Sequence, residues 1–330
     1  MKHKVMQTEY CLHGSPIHFT MDDASILERL CKQWAPFAIE NSGPKTGGAP
    51  HQRIQMHLST ISSAPPPPDI PPVSIGPTMT YYRTGNCLTA YIPHWGRFDV
   101  NLETNVVMGT ITQACIDTYG VFEDMIIVAL APLLRRRGLY TIHAFAAAID
   151  NKAAVLIGDV GAGKSTTGIS LLCQGAQLIS NDSPLLYVDE QGGVKMYAYP
   201  GMLSTYPDTL SWFPNLSGVV DQATRMDGSE KLSFALDDAW PDQWAMVSSP
   251  GALFFPIITP GLKASSIEPL SGFQALQRLV SQSIENWDYE TIPANLRALR
   301  SLVDAAPAFE LRLAPDIQRI QRLIFEAMQD

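Results

Sequence analysis

The sequence predicts an α/β fold in which a domain with a mixed sheet follows a smaller, β-rich N-terminal region. Three observations carry this. An apolar run at Ala153–Ile157 passes through a glycine-rich stretch into a second apolar pattern of helical spacing. Residues 79–112 are rich in Thr, Tyr and Val and carry turn signals at Gly85-Asn86 and Gly96. The 25 prolines are unevenly spread and crowd into residues 41–78, ahead of those strands. The 330 residues divide on this reading into an N-terminal region, 1–120, and a second domain, 121–330.

The elements follow in order. Ile26, Leu27, Leu30 and Trp34 fall three and four apart, so Asp23–Trp34 is expected to be a short helix. Residues 41–78 read as a linker or long loop. Pro65–Pro68 remove four backbone donors in a row and favour a stiff polyproline II spacer. Two to four strands are expected over 79–112. Val121–Leu134 has the length and composition of a buried helix, with Gly138 as its stop. The run Arg135-Arg136-Arg137 is expected to complement the dipole at that helix end. Two apolar runs, Thr141–Ile149 and Lys152–Ile157, are joined by Asp150-Asn151, a tight-turn pair. Farther on, Leu276, Leu279 and Val280 mark an amphipathic helix, and Phe309–Leu313 a short strand.

Composition narrows the classes of function. Hydrophobic residues make up 46% of the chain, enough for a sizeable core. A formal net charge of -9 argues against a general binder of nucleic acid or membrane surfaces. The longest apolar stretch, Met125–Leu134, is about ten residues, against the roughly 20 that span a bilayer. The five cysteines are odd in number, far apart and without a CxxC pair, so neither a disulfide framework nor a zinc site is expected. A reducing, cytoplasmic setting fits this usage. The N-terminus has positive charge but no apolar run behind it, and so does not read as a signal peptide.

The glycine-rich stretch carries the chemistry. Gly158-Asp-Val-Gly-Ala-Gly-Lys-Ser165 fits G-x-x-x-x-G-K-[ST] in full, with a strand before it and a helix after it. Gly158, Gly161 and Gly163 let the backbone turn tightly and bring its N–H groups to phosphate oxygens. Ala162, Ser165 and Thr166 add further amides where the helix begins, and the positive helix end faces the same oxygens. Lys164 is expected to reach the β- and γ-phosphates of ATP or another nucleoside triphosphate, and the Ser165 hydroxyl to ligate Mg²⁺. The following helix ends at Gly175, and Leu178–Asp182 follows at once. Asp182 is thereby expected at the C-terminal end of a strand, where ligands sit in α/β sheets. A carboxylate there can take a metal position or accept the proton of a substrate hydroxyl.

These residues resemble the HPr kinase/phosphorylase family and its HprK-like relatives. Ile142-His143-Ala144 is similar to an element just before the family's phosphate-loop strand, and Asn181-Asp182 stands where its acidic pair stands. Tyr199-Pro200, Leu203, Leu210–Pro214, Lys231, and Phe255-Pro256 with Leu270–Leu279 resemble later positions, so the likeness covers about 121–313. It implies an HprK-like kinase domain that uses ATP and Mg²⁺ to phosphorylate a serine-type hydroxyl of a peptide or protein. Relatives of this size include kinases of ribosomally made precursor peptides. His143 would sit beside the phosphates, Ser165 and Asp182 would hold metal, and Asp182 would accept the proton. Lys231 would stabilise charge during transfer. Relatives of this type often self-associate, which makes a homo-oligomer an expectation of the resemblance.

Two departures stand out. Asn181 occupies the first acidic position and takes no proton at neutral pH. There is also no close copy of the glycine-rich signature of the bacterial HPr kinases, which argues against HPr itself as acceptor. Two other readings stay open: a nucleotide-binding regulatory module without transfer activity, and a kinase of a small-molecule hydroxyl.

Overall fold

The computed structural model describes residues 5–39, 52–118, 120–224 and 230–329. They form a mixed α/β protein with mixed sheets. The chain divides into two compact units: Met1–Arg137 with Ala223–Glu230 and Glu285–Thr291, and Gly138–Gln222 with Lys231–Ile284 and Ile292–Asp330. Among the described residues no helix is long and apolar enough to cross a membrane.

The first unit contains β1 (Met6–Leu12), β2 (Ser15–Met21), α1 (Ala24–Trp34), β3 (Ile54–Ile61), β4 (Ser74–Ile75), β5 (Thr80–Thr84), β6 (Cys87–Ile92), β7 (Gly96–Asn101), β8 (Val106–Thr112), α2 (Gln113–Asp117) and α3 (Val121–Arg135). Its strands form one sheet in the order β1-β2-β3-β8-β7-β6-β5-β4. β3 runs parallel to both β2 and β8. Asp23 starts α1 by accepting a hydrogen bond from the Ser25 amide at 2.8 Å.

Three expectations change in this unit. Residues 41–78 are not simply a linker, because β3 lies inside that range and in the interior of the sheet. Ile54, Met56 and Leu58 alternate inward between the more exposed Gln55, His57 and Ser59, a strand signature that the surrounding prolines and glycines obscure. Residues 41–51, with the glycine-rich part of the expected linker, fall outside the described residues, and Pro65–Pro68 lie in irregular chain. Second, α3 packs on β6 and β7, so this unit runs on to Arg137 rather than ending at 120. Third, Arg135 does more than complement a helix end. It is buried, and its guanidinium lies 2.9 Å from the carboxylate of Asp288, which is fully buried and also takes hydrogen bonds from Arg136. Burial pushes the Asp288 carboxyl upward, but the two arginines outweigh it and hold the group below the usual carboxylate range.

The remaining elements are β9 (Tyr140–Thr141), β10 (Ala144–Ile149), β11 (Lys152–Ile157), α4 (Lys164–Leu172), β12 (Gln177–Ser180), β13 (Leu185–Val188), β14 (Val194–Tyr197), β15 (Leu203–Thr205), β16 (Asp221–Thr224), β17 (Glu230–Phe234), α5 (Leu236–Ala239), β18 (Val247–Ile258), β19 (Ser266–Leu270), α6 (Gly272–Ser281), α7 (Ile292–Ala305), β20 (Ala308–Leu313) and α8 (Ile317–Gln329). The main sheet of the second unit has the order β12-β10-β11-β18-β14-β13-β9, and β20 joins β18 and β19. β11, β18 and β20 are parallel, while β10 is antiparallel to both β11 and β12. The C-terminal ends of β11, β12, β18 and β20 therefore share one edge with the N-terminal end of β10. β15 pairs antiparallel with β17 beside this sheet.

Period-two alternation sends the two faces of the sheet into separate cores. Phe145, Ala147, Ala154, Leu156 and Phe254 pack against Ile169, Leu171 and Leu172 of α4 and Ile320 and Ile324 of α8. Ala144, Ala146, Val155, Ile157 and Leu253 pack against Leu279 of α6 and Leu299 and Leu302 of α7. Each fully buried aliphatic side chain of α4 contributes about 1.5–3 kcal/mol. Gly168 lets α4 approach closely, since a Cβ there would lie 2.3 Å from the Phe145 ring. Ala at 168 gains about 1 kcal/mol of helix propensity. Against that, overpacking of a filled core costs about 1–3 kcal/mol. Because the overlap is with a buried ring between helix and sheet, the second effect wins. Gly168→Ala is expected to lower the denaturant midpoint, and a rise in the midpoint would show that α4 has room to spare.

Candidate functional site

The site is assembled at the shared strand edge by the register of the β10–β11 hairpin. Asp150 and Asn151 both have positive φ, 48° and 63°, and form the two-residue turn. Ile149 then pairs with Lys152, and five residues back Ala144 pairs with Ile157. His143, just before Ala144, comes to lie beside Gly158, just after Ile157. β12 runs out at the same edge, which brings Asn181 and Asp182 there as well. The segment before β10 is pinned on both sides. Ile142 N–H donates to the Pro184 carbonyl, His143 N–H to the Gln282 carbonyl and Ala144 N–H to the Asp182 carbonyl, at 3.1, 3.3 and 3.1 Å.

Residues 158–163 form a loop between β11 and α4. Gly161 and Gly163 have φ of 83° and 98°, a region that favours glycine. The Ala162 N–H closes a turn on the Asp159 carbonyl at 3.2 Å. Gly163 is the N-cap of α4 and supplies no side-chain cap, while Lys164, Ser165 and Thr166 form the first turn of the helix. Gly158, Ala162, Gly163, Ser165 and Thr166 are half-buried and Gly161 is exposed. The N–H groups of this turn and the positive end of α4 are donors suited to an anion.

Lys164 is only 7% exposed. Its Nζ lies 3.1 Å from His143 Nε2 and donates to the carbonyl oxygens of Gly158 and Asp159, at 2.5 and 3.1 Å. An ammonium has three protons and no acceptor, so these three partners saturate it. Nε2 must then accept, which places the ring proton on Nδ1, 3.5 Å from Asp182 Oδ1. The result is a line from Lys164 through a neutral imidazole to a carboxylate. Burial pushes the His143 imidazole below its ordinary value; Asp182 and Asp159 oppose this, while Lys164 adds to it. Burial likewise pushes the Lys164 ammonium down, against the carboxylates of Asp182 and Asp159 and with help from Lys231.

Lys164, His143 and Asp182 are thus in one chain of contacts. Lys231 stands on β17, donates to Ser204 Oγ at 3.3 Å and lies 5.2 Å from the Tyr206 ring centroid. Its charge is felt at Lys164. Asn181 is buried, and its Oδ1 has no hydrogen-bond partner among the described residues. Two residues of the site were not singled out by sequence. Asp159 sits at a variable position of the loop motif, and its Oδ1 accepts from Gln282 Nε2 at 2.7 Å. Gln282 is 123 positions away along the chain, too far for any spacing pattern to reveal.

The depressed value of His143 has a definite sign. The folded protein holds the ring neutral, whereas the unfolded chain takes up a proton as pH falls through about 6.5. Stability attached to this group is therefore present above that pH and is lost below it. In a ring-proton NMR titration the His143 midpoint is expected below about 6.5, lower again in Asp182→Asn and higher in Lys164→Met. A midpoint at or above the ordinary value would contradict the neutral, buried imidazole.

No protein-family model matches this chain, and no curated protein sequence matches it. Among solved structures, the Hpr(Ser) kinase/phosphatase from Coxiella burnetii is similar at 11% identity and a TM-score of 0.29, covering 56% of this chain and 94% of that chain. At that TM-score the likeness carries no argument about what this chain does.

Proposed function

We propose that the chain binds a nucleoside triphosphate, ATP or a relative, on residues 158–166 and transfers its γ-phosphoryl group to a serine-type hydroxyl of a peptide or protein, a ribosomally made precursor peptide among the acceptors to test. The observation that carries this reading is the line Lys164–His143–Asp182 at the rim of a full phosphate-loop motif.

The residues present suit such a substrate. Nothing lies within 4 Å of a Cβ built on Gly161, so the loop surface is open where phosphate oxygens would approach. Among the described residues there is no group of three or more His, Cys, Asp and Glu able to hold a metal. A hydroxyl and a carboxylate, Ser165 and Asp182, fit Mg²⁺, which takes hard oxygen ligands and commonly completes its shell with phosphates and water. Held there, Mg²⁺ would supply positive charge that offsets the negative charge of the phosphates.

The chain's own groups do the rest. The amides of the loop and of the first α4 turn hold the phosphates by N–H donation. Lys164 exchanges its carbonyl partners for phosphate oxygens and neutralises charge on the transferring group. His143 keeps the Lys164 ammonium aimed along the loop, because its Nε2 accepts without adding a competing charge. Asp182, more than half exposed on its side chain, takes the acceptor hydroxyl's proton as the new oxygen–phosphorus bond forms and the bond to the β-phosphate oxygen breaks. Lys231 adds positive charge on the β17 side. Positioning and charge neutralisation of this kind are the main demands of phosphoryl transfer.

Asn181 favours a second reading, in which nucleotide binds and nothing is transferred. Incubation with labelled ATP, Mg²⁺ and hydroxyl-bearing peptides, read by mass spectrometry, separates the two. Transfer is expected in the parent, with Lys164→Ala losing nucleotide binding altogether. Asp182→Ala is expected to retain binding and slow transfer by about 10²–10⁴-fold. Tight binding with no transfer to any acceptor would leave the regulatory reading standing, and transfer at the parent rate in Asp182→Ala would remove that residue from the chemistry.

A further inference from the structure

Asp159 poses a problem for the site just described, and its solution rests on that nucleotide-binding reading. An exposed carboxylate in the loop stands beside Lys164, at the place where the anionic phosphates of a nucleotide would compete for the same ammonium. Yet none of the hydrogen bonds of Lys164 goes to it. The ammonium takes the main-chain oxygen of Asp159, at 3.1 Å, while the side-chain Oδ1 of the same residue accepts from Gln282 Nε2 at 2.7 Å. Gln282 is well fixed for this task. It is the C-cap of α6, and its own N–H donates to the carbonyls of Leu279 and Val280. Its carbonyl accepts the His143 N–H at 3.3 Å. One residue thus touches the loop through its side chain and the imidazole segment through its backbone.

We propose that Gln282 is a positioning residue of the phosphate site: its neutral amide holds the Asp159 carboxylate away from Lys164, and its carbonyl fixes the segment that carries His143. A glutamine suits this role better than the isosteric glutamate, because a second carboxylate there would repel Asp159 and drive it back toward the ammonium. The amide also spends a donor on a charged acceptor, a stronger bond than one between neutral groups.

The test is equilibrium binding of a fluorescent, non-hydrolysable ATP analogue with Mg²⁺ to the full chain. Gln282→Ala is expected to weaken affinity about tenfold, and Gln282→Glu to weaken it further. Asp159→Ala placed in the Gln282→Ala background is expected to restore affinity toward the parent value, a rescue that a merely structural role for Gln282 would not give. Thermal unfolding accompanies each variant. If Gln282→Ala fails to fold, the pair Gln282→Glu and Gln282→Glu with Asp159→Asn carries the same comparison. Parent-like affinity in Gln282→Glu, or weak binding that the Asp159 substitution does not restore, overturns the assignment while leaving the nucleotide site in place. If the parent itself binds no analogue, the nucleotide reading and this assignment fall together.

Discussion

A two-residue turn at Asp150-Asn151 decides where the chemistry of the second unit can be. With Ile149 opposite Lys152, every later pair of the hairpin follows, and His143 is delivered to the first residue of the glycine-rich loop. A slip of one residue would do two things at once. It would move His143 away from Lys164, and it would turn Phe145 and Leu156 off the face covered by α4. The same register therefore serves the core and the site. Two side chains with positive φ hold it, an arrangement that Asp and Asn tolerate better than most residues.

Lys164 is the group on which the site's electrostatics depend. Carrying an ammonium into a nearly buried position is unfavourable unless its donors are all used. Here two carbonyls of its own loop and one imidazole use them. These partners are uncharged, so an incoming anion displaces neutral acceptors rather than an ion pair. Asp182 lies one residue further along, close enough to orient His143 and to oppose the loss of the lysine's charge. The lysine is thus held by neutral partners, which suits recognition of a phosphate.

How much of this could be read from the sequence depends on how local each signal is. The strand, the loop and α4 were legible because the motif at Gly158–Ser165 fixes residue types between two apolar patterns, with Gly161 and Gly163 where the backbone has positive φ. The hairpin turn and the starts of α1 and α3 were legible for the same reason. β3 was not, since its short alternation of Ile54, Met56 and Leu58 is embedded in a proline- and glycine-rich region. The buried pairing of Arg135 with Asp288 was hidden by distance along the chain, and a helix-end explanation for the arginines was sufficient without it. Gln282 was hidden in the same way, since its importance comes from where α6 ends in space. Asp182 was legible as a carboxylate at an expected strand end and His143 through the family resemblance, while their contact through Nδ1 follows from folding.

The proposed function requires residues 158–166 to be a triphosphate site organised around Lys164. A crystal structure of the full chain with a non-hydrolysable ATP analogue and Mg²⁺ tests it most directly. The β- and γ-phosphates are expected on the amides of the loop and first α4 turn, with Lys164 Nζ moved from the Gly158 and Asp159 carbonyls onto phosphate oxygens and His143 still at Nζ. An analogue bound elsewhere, or a Lys164 still closed on both carbonyls at saturating analogue, would contradict it.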